Sequence, residues 1–228
     1  MIIITGASRG IGKYLFERFR NAGEEILGTY NSTKICDLEK EILFKVDITN
    51  FDEVSNWIKV IEIKLDHIIL VNCAAKNYNS FAHKADIPNW ESVIKTNLIG
   101  TFHVIRSLLP YMRNQNFGRI INFSSVTAQI PTPGISAYAA SKSGLWGMTK
   151  SIAAENGSKG ITINNINLGY ADIGMGINDV PIEYVNSIKN KIPGGKFCPP
   201  EEIFETIKYI INCEYLNGAS IDINGALI

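Results

Sequence analysis

Tyr138 and Lys142, four positions apart, are the residues of this chain whose types and spacing most clearly suit chemistry. On a helix that spacing puts them on one face, one turn apart. In water a phenol titrates at about 10 and an ammonium at about 10.4, and a close ammonium favours the phenolate. Such a pair can move a proton to or from an oxygen near neutral pH. Ser125 comes thirteen positions before Tyr138. The stretch Pro131-Thr132-Pro133-Gly134 between them lets the chain fold back, so that both hydroxyls meet one carbonyl oxygen. Asn97 stands in the helical run Val93–Val104, rich in Val, Ile, Leu and Phe, where a helix-interior asparagine is mildly unfavourable and asks for a reason. The Tyr-x-x-x-Lys spacing alone recurs on helix surfaces. Ser125, Asn97 and a glycine turn give it weight.

That turn is Thr5-Gly6-Ala7-Ser8-Arg9-Gly10-Ile11-Gly12, directly after the apolar run Ile2-Ile3-Ile4. Glycines let the chain turn sharply and let a pyrophosphate approach the backbone. The helix that follows offers unpaired N–H groups and a partial positive charge to that anion. In a strand–turn–helix setting the pattern reads as a dinucleotide cradle, whereas glycines alone could serve only a tight turn. An acid closing the second strand would hold the ribose 2′-hydroxyl of NAD. Here the chain has Thr29-Tyr30-Asn31-Ser32-Thr33-Lys34. With no carboxylate there and Arg9 in the turn, NADP(H) is the expected cofactor and NAD(H) the second choice. Asn31, Ser32 and Lys34 are the expected helpers of Arg9, unless these are plain surface groups. Asp47, after the third strand, either accepts from the adenine amino group or caps the next turn.

These residues need a scaffold. Expected strands are Ile2–Thr5, Glu25–Tyr30, Leu43–Asp47, Ile68–Cys73, Arg119–Ser124, Thr162–Asn167 and Ser220–Ile223. Expected helices are Gly10–Ala22, Phe51–Lys64, Pro88–Arg113, Ser136–Asn156 and Pro200–Asn212. Strands that are apolar throughout are buried on both faces, as in a parallel sheet covered by helices. The expected fold class is therefore α/β: a single Rossmann-type doubly wound domain over residues 1–228, with a seven-stranded parallel sheet flanked by helices. Ligands of such sheets sit beyond the carboxyl ends of the strands, so every candidate residue must fall there. The short connection Asn31–Ile42 leaves room for only a turn or two over Thr33–Glu41.

Lys plus Arg and Asp plus Glu number 22 each, so the formal charge is zero and no nucleic-acid partner is expected. No uncharged apolar run is long enough to span a membrane, and Met1 leads into a strand without a basic region or cleavage site. The expected location is cytoplasmic. Cys36, Cys73, Cys198 and Cys213 lack CxxC spacing and read as reduced thiols. His67, His83 and His103 share no ligand spacing, so no metal site is expected.

Thr5–Gly12 fits TGxxxGxG, and Asn97, Ser125, Tyr138 and Lys142 fall in the order and spacing of a catalytic tetrad. The strings RIINFSS (Arg119–Ser125) and YAASKSG (Tyr138–Gly144) are more specific still. On these residues nearly the whole chain resembles the short-chain dehydrogenase/reductase family, nearest to its 3-oxoacyl-carrier-protein reductase-like ketoreductases. The resemblance implies a reversible ketone–alcohol conversion with hydride exchanged with a nicotinamide. It implies Tyr138 as proton donor, and Ser125 as donor to the carbonyl oxygen. Lys142 would depress the Tyr138 pKa and hold the nicotinamide ribose, and Asn97 would support a water chain. Cofactor contacts are implied for Gly6, Ser8, Arg9, Gly10, Ile11, Gly12, Asn31, Ser32, Asp47, Ile48, Asn72, Ala74, Tyr138, Lys142, Gly169 and Ile173.

The chain departs from the family pattern in places. Asn72-Cys73-Ala74-Ala75 replaces Asn-Asn-Ala-Gly, which removes an amide anchor at the sheet centre and a residue free to take positive φ. Leu168-Gly169 replaces Pro-Gly, Gly225-Ala226 replaces Gly-Gly, and Ile173 replaces a threonine that binds the carboxamide. The two basic residues with which the carrier-protein reductases dock their partner, flanking the mouth, correspond to Asn116 and Lys159, only one of them charged. The implied substrate is a small-molecule carbonyl or alcohol, free or carrier-linked, under a lid at about residues 170–198. Tyr78, Ile130, Tyr170 and Met175 are candidates for its walls, or else packing residues of the loops. Two alternatives are an NAD-dependent alcohol or sugar dehydrogenase and a cofactor-binding scaffold of low activity. The resemblance also implies a homo-oligomer, tetramer or dimer; the apolar residues of Leu98–Leu109 and Leu145–Ile152, including Trp146, either form its helix–helix contact or simply face the sheet.

Overall fold

The computed structural model describes residues 1–33, 35, 41–174 and 182–227. Seven strands form one parallel sheet: β1 Ile2–Thr5, β2 Ile26–Tyr30, β3 Leu43–Lys45, β4 Ile69–Asn72, β5 Gly118–Ser125, β6 Ile161–Leu168 and β7 Ser220–Ile223. Their order is β3-β2-β1-β4-β5-β6-β7, so the winding reverses between β1 and β4. This is the doubly wound Rossmann arrangement that the apolar runs imply, and each strand ends within two residues of its expected bounds. Every residue of β5 and β6 is buried, as two covered faces require.

Helices α1 Gly10–Asn21 and α7 Pro200–Asn212 cover one face of the sheet. Leu15, Phe16 and Phe19 of the first meet Phe204 and Ile207 of the second there. Helices α2 Phe51–Ile61, α4 Thr101–Gln115 and α5 Ser136–Asn156 cover the other. On α2, Val54, Trp57, Ile58 and Ile61 form the buried stripe. Asn50 caps that helix by accepting from the Asp52 and Glu53 N–H groups, and its side-chain amide donates to the Glu53 carboxylate. A short helix, α6 Ile182–Lys189, lies in the region expected as a lid. Met175 and Gly176 of that region lie outside the described residues, as do Lys34, Cys36 and most of the Thr33–Glu41 connection. Among the described residues no helix is long and apolar enough to cross a membrane.

The helix expected over Pro88–Arg113 is three pieces. α3 Ile87–Ile94 leads into a π-helical turn, Lys95–Gly100, and that into α4. The buried positions Val93, Asn97 and Thr101 are four apart. Four α-helical residues overshoot a full turn, so a stripe at this spacing drifts around the helix. The wider π turn takes up the excess. The Thr101 hydroxyl donates to the Asn97 carbonyl at 2.8 Å and helps to satisfy the loosened backbone.

One row of polar side chains crosses the sheet. Thr5, Asn72, Asn122, Asn165 and Ser220 are register partners on β1, β4, β5, β6 and β7. The Thr5 hydroxyl donates to Asn72 (3.5 Å), Asn72 to Asn122 (2.9 Å) and Asn122 to the Thr149 hydroxyl of α5 (3.2 Å). Thr149 donates in turn to Asn165 (2.8 Å), and Asn165 to Ser220 (3.0 Å). Replacing the family asparagine by Cys73 therefore does not strip the sheet centre of a polar anchor, because Asn72 and its row supply one.

Asn122→Ala breaks this row in the middle and leaves the Asn72 amide and the Thr149 hydroxyl buried without their partner. We predict a loss of about 2–5 kcal/mol in urea unfolding. A loss below about 1 kcal/mol would show that the row does not hold the sheet.

Candidate active site

The carboxyl ends of the strands carry the expected residues. β5 ends at Ser125 and passes into a 3₁₀ turn, Val126–Ala128. The Ser125 Oγ accepts from the Thr127 N–H at 3.2 Å and lies 3.0 Å from the Thr127 hydroxyl. α5 brings Tyr138 and Lys142 against this end of β5. The Lys142 Nζ donates to the Phe123 carbonyl at 2.5 Å and stands 5.5 Å from the centre of the Tyr138 ring. The Ser124 hydroxyl donates to the Lys142 carbonyl, and the Trp146 indole N–H is shared by Ser124 and Asn167. These bonds pin α5 to β5 and β6. Asn97, in the π turn, accepts from the Lys76 N–H (2.8 Å) and donates to the Lys76 carbonyl (2.9 Å) and to Ser141 (3.0 Å). It thus ties the loop after β4 to α5 one residue before Lys142.

Burial sets the electrostatics. It pushes the Tyr138 phenol up to about 12, and a hydrogen bond from Ser125 pulls it back only in part. Burial pushes Lys142 down to about 8, and the adjacent Cys73 holds it up slightly. The Cys73 thiol is pushed well up by the same burial. The expectation that Lys142 makes the phenol acidic is therefore not met in the free protein. The desolvation of a phenolate outweighs the help of an amine whose proton is directed at the Phe123 carbonyl.

Two cavities open beside these groups. One, of about 420 Å³, is lined by Ser125, Tyr138, Lys142, Gly169, Tyr170 and Ile173, among others. The other, of about 680 Å³, runs over the glycine turn and is lined by Gly6, Ser8, Arg9, Gly10, Ile11, Gly12, Asn31, Ser32, Asp47, Ile48 and Ala74. Ile11, Cys73 and Ala75 line both, so the two adjoin. Asn72 lines neither, because its amide is taken by the polar row. Asp47 does cap the turn: one carboxylate oxygen accepts from the Thr49 N–H and hydroxyl.

The larger cavity fits a dinucleotide. Gly6 has φ 68°, and a Cβ there would stand 2.8 Å from the Ala74 Cα. A Cβ on Gly12 would strike the Gly6 carbonyl oxygen. No side chain caps α1, so its leading N–H groups are left to the cavity. Among the described residues, the walls carry the cations of Arg9, Lys76 and Lys95 and the carboxylate of Asp47. Lys76 is steadied by Ser92 at 2.8 Å. Neither lysine is visible as a site residue in the sequence, since one follows a strand end and the other enters the π turn without any motif.

Other expectations need correction. Tyr78 and Ile130 do not line the smaller cavity, and Asn77, Asn79, Thr132 and Ile135 take their place. The Tyr78 hydroxyl instead accepts from the Asp86 N–H. Ala75 does not sit at positive φ, so the loop does without a glycine there, while Ala226 does, at 62°. Asn116 and Lys159 lie just ahead of β5 and β6, at the end of the sheet opposite Ser125, and do not flank this chain's own mouth. Ile105, Leu108, Leu145 and Ile152 face the core, and Trp146 is bonded inward. Of the two stretches expected at a subunit contact, Ile99 and Phe102 are the large apolar residues left exposed. His67 pairs with Asp66, His103 with the Ile48 carbonyl, and among the described residues no cluster suited to a metal ion forms.

Residues 1–181 match the protein family described as short chain dehydrogenase. An acetoacetyl-CoA reductase of Allochromatium vinosum is 32% identical over 241 residues, covering 99% of this chain and 97% of that protein. A 3-oxoacyl-acyl-carrier-protein reductase of Rickettsia bellii is 34% identical over 236 residues, covering 99% and 95%. Another, from Thermotoga maritima, is 32% identical over 238 residues, covering 99% and 96%.

The lowered Lys142 pKa has a measurable sign. Between about pH 8 and 10.5 the unfolded chain keeps this proton and the folded one gives it up, so stability rises with pH across that window. Below about 8 both states hold the proton and the penalty is complete. We predict that wild-type stability, minus that of Lys142→Met, climbs from pH 8 to 10 in thermal melts. Parallel curves would show that Lys142 titrates normally.

Proposed function

The chain belongs to the short-chain dehydrogenase family, and on that premise we propose that it reduces a 3-oxoacyl thioester, or a small ketone of similar shape, to the alcohol with NADPH. One observation carries the reading: the cavity of Ser125, Tyr138 and Lys142 adjoins the glycine-turn cavity through Ile11, Cys73 and Ala75. A carbonyl carbon beside Tyr138 and a nucleotide on the turn would meet at that junction. The thioester comes from the relatives, whose names specify acetoacetyl-CoA and 3-oxoacyl-carrier-protein substrates.

The nucleotide, when bound, supplies the hydride. Tyr138 stays protonated at physiological pH, since its pKa lies near 12, and so gives its proton to the carbonyl oxygen. Ser125 donates a hydrogen bond to the same oxygen. Lys142, with a pKa near 8, exchanges protons within the working range and is the group that restores the Tyr138 proton. It is also the residue that would hold the nicotinamide ribose. Asn97 keeps the Lys76 loop and α5 at fixed separation, so the two cavities keep their common wall. Arg9, Asn31 and Ser32 would hold the 2′-phosphate. Ile173 offers the nicotinamide an apolar wall and no hydroxyl. The zero net charge and the far placement of Asn116 and Lys159 favour a free thioester over one delivered by an acidic carrier. Ile99 and Phe102 are the proposed contact of a homo-oligomer, and the cytoplasm is the proposed location.

Tyr138→Phe is predicted to lower turnover of acetoacetyl-CoA by about 10²- to 10⁴-fold, while NADPH still binds by nicotinamide fluorescence. Turnover within a factor of two of wild type would overturn the mechanism. Arg9→Ala is predicted to weaken NADPH binding about tenfold and leave NADH binding unchanged. Equal effects on both nucleotides would remove Arg9 from the phosphate site.

A further inference from the structure

A serine hydroxyl has one proton to donate and two lone pairs to accept with. Thr127 addresses the oxygen of Ser125 twice, through its N–H at 3.2 Å and its hydroxyl at 3.0 Å. The N–H can only donate. A ketone oxygen can only accept, so the Ser125 proton must turn to it, and the Thr127 hydroxyl must then donate to Ser125. We propose that Thr127 is a positioning residue that fixes Ser125 as a hydrogen-bond donor to the substrate carbonyl. The inference rests on the ketoreductase reading above.

The surroundings support it. Thr127 is half-buried and lines the same 420 Å³ cavity as Tyr138, so its hydroxyl stands beside the reacting groups. Ser125 is buried, and an oxygen that accepts two hydrogen bonds makes its own O–H a stronger donor. The competing account is that Ser125 merely caps the Val126–Ala128 turn. In that case only the Thr127 N–H matters and its side-chain hydroxyl is dispensable.

Thr127→Val separates the two, because valine keeps the shape, the β-branch and the N–H. With acetoacetyl-CoA and NADPH, the variant is expected to lose about fivefold in kcat, with KM within twofold of wild type. Its melting temperature and its NADPH affinity by fluorescence are expected to stay unchanged. Thr127→Ser is expected to restore kcat. Wild-type kcat in Thr127→Val, alongside a Ser125→Ala variant that has lost activity, overturns the inference and leaves the function standing. Wild-type kcat in Ser125→Ala overturns the role given to Ser125 itself, and the inference with it. Equal losses in Thr127→Val and Thr127→Ser with lowered melting temperatures assign Thr127 a structural role, which also overturns the proposal.

Discussion

The site stands at a height on the sheet that a single buried row of hydrogen bonds sets. Thr5, Asn72, Asn122, Asn165 and Ser220 lie side by side, and a chain of donated bonds, passing through Thr149 of α5, runs from Thr5 to Ser220, which accepts the last. A slip of one residue in any strand would send its member of the row to the opposite face, among the apolar side chains of α1 and α7. An unpaired amide there costs several times what one good hydrogen bond returns. The residues lining the two cavities follow just beyond the row: Gly6 after Thr5, Cys73 and Ala74 after Asn72, Ser125 three positions after Asn122. The Ala74 N–H also donates to Thr5, so the loop that closes over the glycine turn is bonded to the row.

Above the row the environment turns dry, and the charges bear its cost. Lys142 is almost wholly buried, and its ammonium donates to the Phe123 carbonyl. The phenol of Tyr138 stays neutral over the whole physiological range. The resting site therefore holds its proton on the tyrosine. The energy for this comes from elsewhere, through the ties of Ser124, Trp146 and Thr149 that clamp α5 onto β5 and β6 whatever the charge on Lys142.

Much of this was legible in the sequence because the signals are local. Ile2-Ile3-Ile4 before a glycine turn fixes the first strand and the cradle. Tyr138, Lys142 and Ser125 are separated by distances that one helix and one loop can close. What was not legible depends on several segments at once. Lys76 and Lys95 join the nucleotide wall only because Asn97 draws the loop after β4 onto the π turn. Tyr78 looked like a wall residue, but its hydroxyl is held by the Asp86 backbone. The pKa order of Tyr138 and Lys142 escaped because spacing conveys proximity, and burial, which decided the matter, is a property of the whole fold. The split of the Pro88–Arg113 helix had a signal in the four-residue spacing of Val93, Asn97 and Thr101, masked by the apolar residues around it.

That π turn makes two requirements compatible that a regular helix would set against each other. Each α-helical residue rotates the chain by about 100°. Winding all six residues from Lys95 to Gly100 as ordinary α-helix would swing whatever follows through more than a quarter turn. Val104, Leu108 and Met112 could then keep the core only if Asn97 faced away from Lys76, and Asn97 could keep Lys76 only if the apolar stripe turned to water. The surplus residue is the joint that lets one rod serve both the packing of the interior and the geometry of the cleft.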